Sequence, residues 1–206
     1  ACAHSLAGNI DTAFYHISRL INNSLYTDMD EITSDSDLIA LHNDKRWGEA
    51  LFIIKHNKFN AEKNYDWTLI NQLDSIYVED QKYRLQLDSI IKLHGFKSDE
   101  LSAHWKLISY KDSLNLIEIT KILNTKGWIG KDIIGERGNS TLFLVIQHSS
   151  LESQIKYLPM MREAVHKNNA NGSDLALLED RVAMRQGKKQ IYGSQISRDM
   201  KTNQYY

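Results

Sequence analysis

One proline in 206 residues is the feature that most restricts how this chain can fold. Proline removes a backbone donor and clashes with the preceding helical turn, so it marks places where a helix must stop or bend. Here only Pro159 and ten glycines punctuate the chain. Between them, apolar residues recur at three- and four-residue spacing, the period of an amphipathic helix. A mainly α fold is expected, and the length suits one ordinary domain with a smaller appendage.

Charge and cysteine content remove several function classes. Twenty-five basic residues face 26 acidic ones, and no basic stripe is interleaved with aromatics, so no nucleic-acid partner is expected. No apolar run approaches the ~18 residues that span a bilayer, which predicts a soluble chain without a membrane-spanning segment. Whether it is cytoplasmic or periplasmic is left open, because the chain starts at Ala1-Cys2-Ala3, already inside a helical pattern and without methionine. It stops at Tyr205-Tyr206 in what reads as the start of a strand, so it reads as a piece lacking both ends. The single Cys2 excludes an internal disulfide. With no cysteine cluster and no histidine–carboxylate spacing of ligand type, neither a metal nor another cofactor is expected.

Residues 1–58 read as a helical hairpin with a capping helix. Gly8 ends a short helix, Asn9 and Asp11 start the next, and Ala13 is small enough for close packing. With Ala1, His4, Leu6, Ile17 and Leu20, this set resembles a tetratricopeptide repeat, a helix–turn–helix unit of about 34 residues, lacking roughly its first seven. Thr33 to Leu38 and Leu41 to Trp47 are similar to the segment that closes such arrays in bacterial proteins. Asp44 is placed to cap a helix from about Lys45 to His56, with Trp47, Leu51 and Ile54 inward. Repeats of this kind hold peptides or helices, so a protein partner through residues 1–58 is implied. Residues 59–66 are polar and unpatterned, a linker.

Residues 67–206 read as a second, helical domain, cut short at its C-terminus. One helix is expected over 67–94, with Leu69, Leu73, Ile76, Tyr83, Leu87 and Ile90 on its stripe. Asp80 falls on that stripe and Arg84 lies one turn on, a pair that must be partly desolvated. A helix begins at Ser98 and carries Leu101, Trp105 and Ile108; another runs from about Asp112 to Lys126, with Asp112 and Asn115 in its first turn as caps. Gly127 stops it and Trp128 plugs the core. Gly130 to Asn139 reads as a loop that lacks the ending of a phosphate loop.

Thr141 to His148 is taken as a buried helix capped by Asn139 or Ser140, and it leads from an apolar wall into Gln147 and His148. Leu151 to Tyr157 continues as helix, with Pro159 kinking it or opening the next, which ends near Lys167. Ser173 caps a helix over 174–186. Its Glu179, Asp180 and Arg181 sweep about 200° and cannot all face solvent. Residues 188–196 alternate like a strand, and a turn at 198–201 would make a small C-terminal β-hairpin with a second strand from Thr202.

Asp80-Gln81-Lys82-Tyr83-Arg84, Asp112-Ser113-Leu114-Asn115, Gly127-Trp128, Gln147-His148, Asp180-Arg181-Val182 and Gln190-Ile191-Tyr192-Gly193-Ser194-Gln195 follow one another in this order. Together they resemble the bacterial helical family called domain of unknown function 6624, over roughly residues 67–206. The chain departs mildly from the family's pattern at Ser194, more often threonine, and at Ile129, often proline. The resemblance implies a helical fold, a set of polar residues and tetratricopeptide-like repeats upstream. It implies no reaction.

Three functional readings follow. In the first, the protein is an interaction or scaffold module working through its repeat segment, with a polar pocket in the second domain. In the second, that pocket is an enzyme or small-ligand site. His148 would act as acid or base, Asp180 or Asp112 would orient it, and Arg181 or Arg84 would hold an anionic group. Asp80, Arg84, Asp112, Asn115, Gln147, Gln190, Tyr192 and Gln195 would contact a small polar or anionic ligand. In the third, the polar set is an internal network that fixes packing. No serine or cysteine nucleophile motif is present.

Overall fold

In the computed structural model, residues 1–196 are described, and every regular element among them is a helix. The chain divides into two units, Ala1–Asn64 and Tyr65–Tyr206.

In the first unit, Gly8 takes φ 73°, a left-handed conformation open to glycine at little cost, and separates α1 (Cys2–Leu6) from α2 (Ile10–Asn23). α3 (Met29–Ser34), a 3₁₀ turn (Ser36–Leu41) and α4 (Lys45–Glu62) follow. Asp28, Asp35 and Asp44 each accept a backbone N–H at the head of one of these elements. The core holds Ala13, Ile17, Ile21, Leu41, Trp47 and Ile54, with Leu51 half-buried beside it. α4 continues to Glu62, through residues 59–62 that read as linker. Asn57 helps to hold that helix in place, since its Nδ2 donates to the carbonyls of Ile21 (2.7 Å) and Tyr26 (3.2 Å).

The second unit departs from the periodic reading at three helices and at its end. The helix expected over 67–94 is two, α5 (Trp67–Arg84) and α6 (Leu87–His94). Around the break, side chains take carbonyls of the helix: Arg84 Nη1 donates to the Asp80 oxygen and His104 Nε2 meets the Tyr83 oxygen, both at 2.7 Å. The chain tightens to an i→i+3 bond there, from Gln86 N–H to the Tyr83 oxygen. α7 (Asp99–Lys126), by contrast, is one continuous helix of 28 residues. Asp112 and Asn115 therefore sit mid-helix and cap nothing.

α8 (Lys131–His148) contains a non-helical turn at Gly135 (φ 67°, ψ 172°), and its straight part starts ahead of Asn139. Most of the expected loop is thus helical. Asn139 is buried and ties two loops together, donating to the Ile129 oxygen at 2.8 Å and the Asn169 oxygen at 2.7 Å. Residues 141–148 are helix, as expected. α9 (Leu151–His166) carries Pro159 without ending there, and α10 (Gly172–Arg185) is closed by Gly187 at φ 73°.

The strand expected over 188–196 is absent. The N–H groups of Ile191, Tyr192 and Ser194 point into the carboxylate of Asp180 instead of pairing with a neighbouring strand. The turn and second strand of the expected β-hairpin lie outside the described residues. α5 packs on α7 and α8, and α9 on α8 and α10. Leu73, Ile119, Leu142, Ile146, Met161 and Leu178 are fully buried between them, each worth roughly 1.5–3 kcal/mol of burial. Among the described residues, no helix is long and apolar enough to cross a membrane.

Candidate functional site

The site grows from one polar residue on an apolar stripe. Asp80 follows Ile76 by one turn on the inner face of α5 and is 1% exposed. A buried carboxylate is tolerable only when hydrogen-bonded and charge-matched. His148 Nδ1 lies 3.0 Å from Oδ1, Arg84 Nη1 lies 3.4 Å from the same oxygen, and Gln81 Nε2 donates to Oδ2 at 2.7 Å. Burial pushes the Asp80 carboxyl up, but His148, Arg84 and Gln81 outweigh it and hold the group below its ordinary value.

His148 is the last residue of α8, with a side chain 17% exposed. An ionised carboxylate only accepts, so the bond to Asp80 assigns the proton to Nδ1 and leaves Nε2 with the lone pair in the neutral ring. The histidine lines a cleft of about 230 Å³ together with Ser109, Asp112, Ser113, Leu116, Ser149 and Ser150. Arg84 closes the back of this arrangement, because its Nη2 donates to both oxygens of Asp112 at 2.8 and 2.7 Å. Burial raises the Asp112 carboxyl above its ordinary value in spite of that arginine. Asp80, Asp112 and His148 bring atoms able to ligate a metal within 4.8 Å of one another, but Arg84 already supplies the positive charge between the two carboxylates.

A second group adjoins the first through the end of α8. Arg181 Nη1 donates to the Gln147 oxygen at 3.3 Å, and Arg185 Nη1 to the Ser149 oxygen at 2.8 Å. The two guanidiniums crown the C-terminal carbonyls of the helix, where positive charge is favoured. Burial, then Arg185, then Arg84 lower the pKa of Arg181. Its remaining contact is Gln195 Oε1, at 3.2 Å from Nε, and among the described residues it has no carboxylate partner. Two polar atoms nearby in sequence are buried without a partner among the described residues: Gln147 Oε1, in a residue 4% exposed, and Asn115 Nδ2, in one 7% exposed and one turn past Asp112. An unmade buried bond of this sort costs about 1–3 kcal/mol.

Asp180 does something else. It is fully buried, and its oxygens accept from Ile191 N (2.6 Å), Tyr192 N (3.0 Å), Ser194 N (2.8 Å) and Ser194 Oγ (2.8 Å). Burial pushes its carboxyl up, the four donors win, and it sits at about 2. With its contacts used on this loop, Asp180 is not the carboxylate that orients His148; Asp80 is. Gln190 belongs to the same loop, with Oε1 and Nε2 bonded to the backbone N–H and carbonyl of Gln195, both at 2.8 Å. Gln195 Nε2 reaches the Leu177 oxygen at 3.2 Å, and the Tyr192 ring is largely exposed.

Of the residues named from sequence, Asp80, Arg84, Asp112 and His148 form one cluster, and Gln147, Arg181 and Gln195 a second beside it. Asp180, Gln190 and Tyr192 build the loop. Sequence reasoning passed over Gln81, Arg185 and Ser149. Gln81 had a signal, since it sits inside the motif that contains Asp80, but adjacent helical residues do not ordinarily face one another.

A family model described as a family of unknown function (DUF6624) matches residues 69–201, more than half of the chain. No curated protein and no solved structure matches the chain.

Proposed function

The chain belongs to this family of unknown function, DUF6624, and from that premise we propose that its second unit carries an acid–base site for a small polar ligand, with His148 as the proton-transfer group. The observation that carries the reading is the 3.0 Å contact between Asp80 Oδ1 and His148 Nδ1 beside an open cleft. A carboxylate on Nδ1 fixes the tautomer, orients the ring and stabilises the charge that appears when Nε2 takes a proton. Arg84 joins Asp80 to Asp112, so the floor and wall of the cleft are one hydrogen-bonded piece. A cleft of about 230 Å³ suits a ligand of a few heavy atoms. Arg181 and Arg185 are bonded to the Gln147 and Ser149 carbonyls behind the cleft, so they favour an anionic group there through their field and not by direct contact. The reaction class is proton abstraction from the bound ligand, or activation of water against it.

The test is an NMR screen of a metabolite library with wild-type, His148→Gln and Asp80→Asn proteins of matched folding. The reading expects a compound consumed by wild type, untouched by His148→Gln and turned over more slowly by Asp80→Asn. Equal turnover by wild type and His148→Gln ends it.

For the first unit we retain the expectation of a tetratricopeptide-like, partner-binding module. What supports it is a groove of about 170 Å³ between α2 and α4, lined by Phe14, Ile17, Ile21, Arg46, Glu49 and Ile53. On α4, Phe52 and Phe59 are also largely exposed. Proximity labelling in cells separates this role from the site. A neighbour set that is lost with Phe52→Glu and kept with His148→Gln supports it, and a set unchanged by Phe52→Glu with Phe59→Glu removes it.

A further inference from the structure

α7 gives the core one face only. Leu101, Ile108, Asn115, Ile119 and Ile122 are buried, and the helix packs on α5, α6 and α8. Along another face, Glu100, Ala103, Leu107, Tyr110, Leu114, Ile117 and Lys121 follow one another at alternate spacings of three and four residues. All seven are exposed. Such spacing makes the seam of a two-helix coiled coil, which closes only against a second helix. Its middle is apolar: Leu107 is 37% exposed, Tyr110 59%, Leu114 40% and Ile117 51%. Together these four leave on the order of 400 Å² open, in the range at which a surface patch is often functional. Two copies of the stripe would bury about 800 Å², and its flanks bring the total near the ~1,000 Å² of a small specific interface.

The ends of the seam carry opposite charge. Glu100 sits in the first turn of α7, beside Asp99, and Lys121 lies beyond the last apolar position. Each is held only by a contact at the surface, Glu100 to His94 at 3.8 Å and Lys121 to Glu118 at 2.7 Å. Exposed pairs of this kind contribute little and exchange partners readily. The apolar four and the whole helix Asp99–Lys126 share a midpoint, at Asp112 and Ser113. Turned end over end about that point, the seam meets itself: Leu107 faces Ile117, Tyr110 faces Leu114, and Glu100 comes within a turn of Lys121. A parallel arrangement would instead set Glu100 on Glu100 and Lys121 on Lys121. The face is therefore complementary to its own antiparallel copy, as a twofold interface requires.

We propose that α7 is a dimer interface, on which a second copy of this chain pairs antiparallel through Leu107, Tyr110, Leu114 and Ile117, with Glu100 and Lys121 setting the direction. Ser113 flanks the seam and also lines the His148 cleft, so the twofold axis passes beside that wall. The pairing does not rest on the chemistry of His148.

Sedimentation equilibrium of the whole chain, from about 1 μM to about 100 μM, tests it, since an interface of this size associates in that range. A reversible monomer–dimer equilibrium is expected. Leu114→Glu, at an exposed position, is expected to keep the wild-type melting point and to weaken the dimer by about a hundredfold, because the twofold axis counts each substitution twice. Should that variant unfold, Ile117→Gln reads the same seam. Glu100→Lys and Lys121→Glu are each expected to weaken the dimer by about tenfold, and the two together to restore it. A monomer throughout the range overturns the proposal and leaves the stripe to some other partner. A dimer unchanged by Leu114→Glu and Ile117→Gln overturns it as well. Charge reversals that the double variant does not rescue rule out the antiparallel pairing. A dimer lost with Phe52→Glu but kept with Leu114→Glu belongs to the first unit and overturns the assignment to α7. None of these outcomes bears on turnover at His148.

Discussion

Asp80 and Asp180 are both buried aspartates on helices of one unit, and they are used in opposite ways. Asp80 is met by side chains, those of His148, Arg84 and Gln81, from two helices of the core. Asp180 is met almost entirely by backbone, three N–H groups and one hydroxyl from a single loop. Backbone donors do not titrate, so Asp180 holds chain in place and transfers nothing. A histidine does titrate, so Asp80 holds a group whose charge changes. Burial alone does not mark a functional carboxylate; the kind of donor around it does.

The largest expected effect tests the Asp80 side. Asp80→Ala leaves Arg84 short of a partner and His148 without its acceptor inside the helical core, and is expected to cost roughly 3–5 kcal/mol in chemical denaturation. Asp80→Asn keeps shape and loses charge, so it should fold and lose the orientation of His148. If both variants melt like wild type, the core pairing is not what holds this corner together.

Asp180→Ala should cost less globally, because a loop can release its amides to water and a core helix cannot. Its signature is local: proteolysis opening within 188–196 while α5 to α9 stay protected. Cleavage no faster than in wild type would show that the loop is held by something else.

Acid separates the same two effects. The Asp180 carboxyl is depressed from 3.8 to about 2. A carboxyl lowered by folding contributes stability that is fully present above its unfolded value and is lost as pH falls through its folded one. Protection of the loop amides is therefore expected to hold above pH 3.8 and to fade towards about pH 2, as read by hydrogen exchange. Asp80 is lowered too, so the two contributions act in the same direction and the Asp180→Asn variant is the control that removes one of them.

The smallest effect concerns Tyr192, whose backbone N–H is used and whose ring is mostly in solvent. Tyr192→Phe should change stability by no more than about 0.5 kcal/mol. A larger loss would mean that the hydroxyl, through its contact with Glu179, belongs to the anchor as well as the amide.

Helix content was legible because it is written in local period and punctuation: Gly8, Gly127 and Gly187 stop helices, and Asp44 and Ser98 start them. The break at Leu85-Gln86 was not legible, since neither residue is a breaker and part of its cause, His104, lies 21 positions past the Tyr83 carbonyl that it meets. Asp112 reads as a cap by residue type, yet its partner is Arg84, on another helix. The alternation at 188–196 is real, but the amides of Ile191, Tyr192 and Ser194 bond Asp180 in place of a neighbouring strand. For the site, the sequence supplied the residue types and missed their pairing. It named His148 and offered it Asp180 or Asp112, whereas the carboxylate bonded to it is Asp80, 68 positions away, a separation on which periodicity carries no information.

The loop on Asp180 also bears on where this domain stops. The last helix among the described residues ends at Arg185, and a reader of secondary structure would trim the chain just after Gly187. That cut would remove all four donors and strand a bare anion in the interior. A version of the domain that keeps the Asp180 donors and the Gln190–Gln195 bonds that close their loop must extend at least to Gln195, eight residues of irregular backbone beyond Gly187.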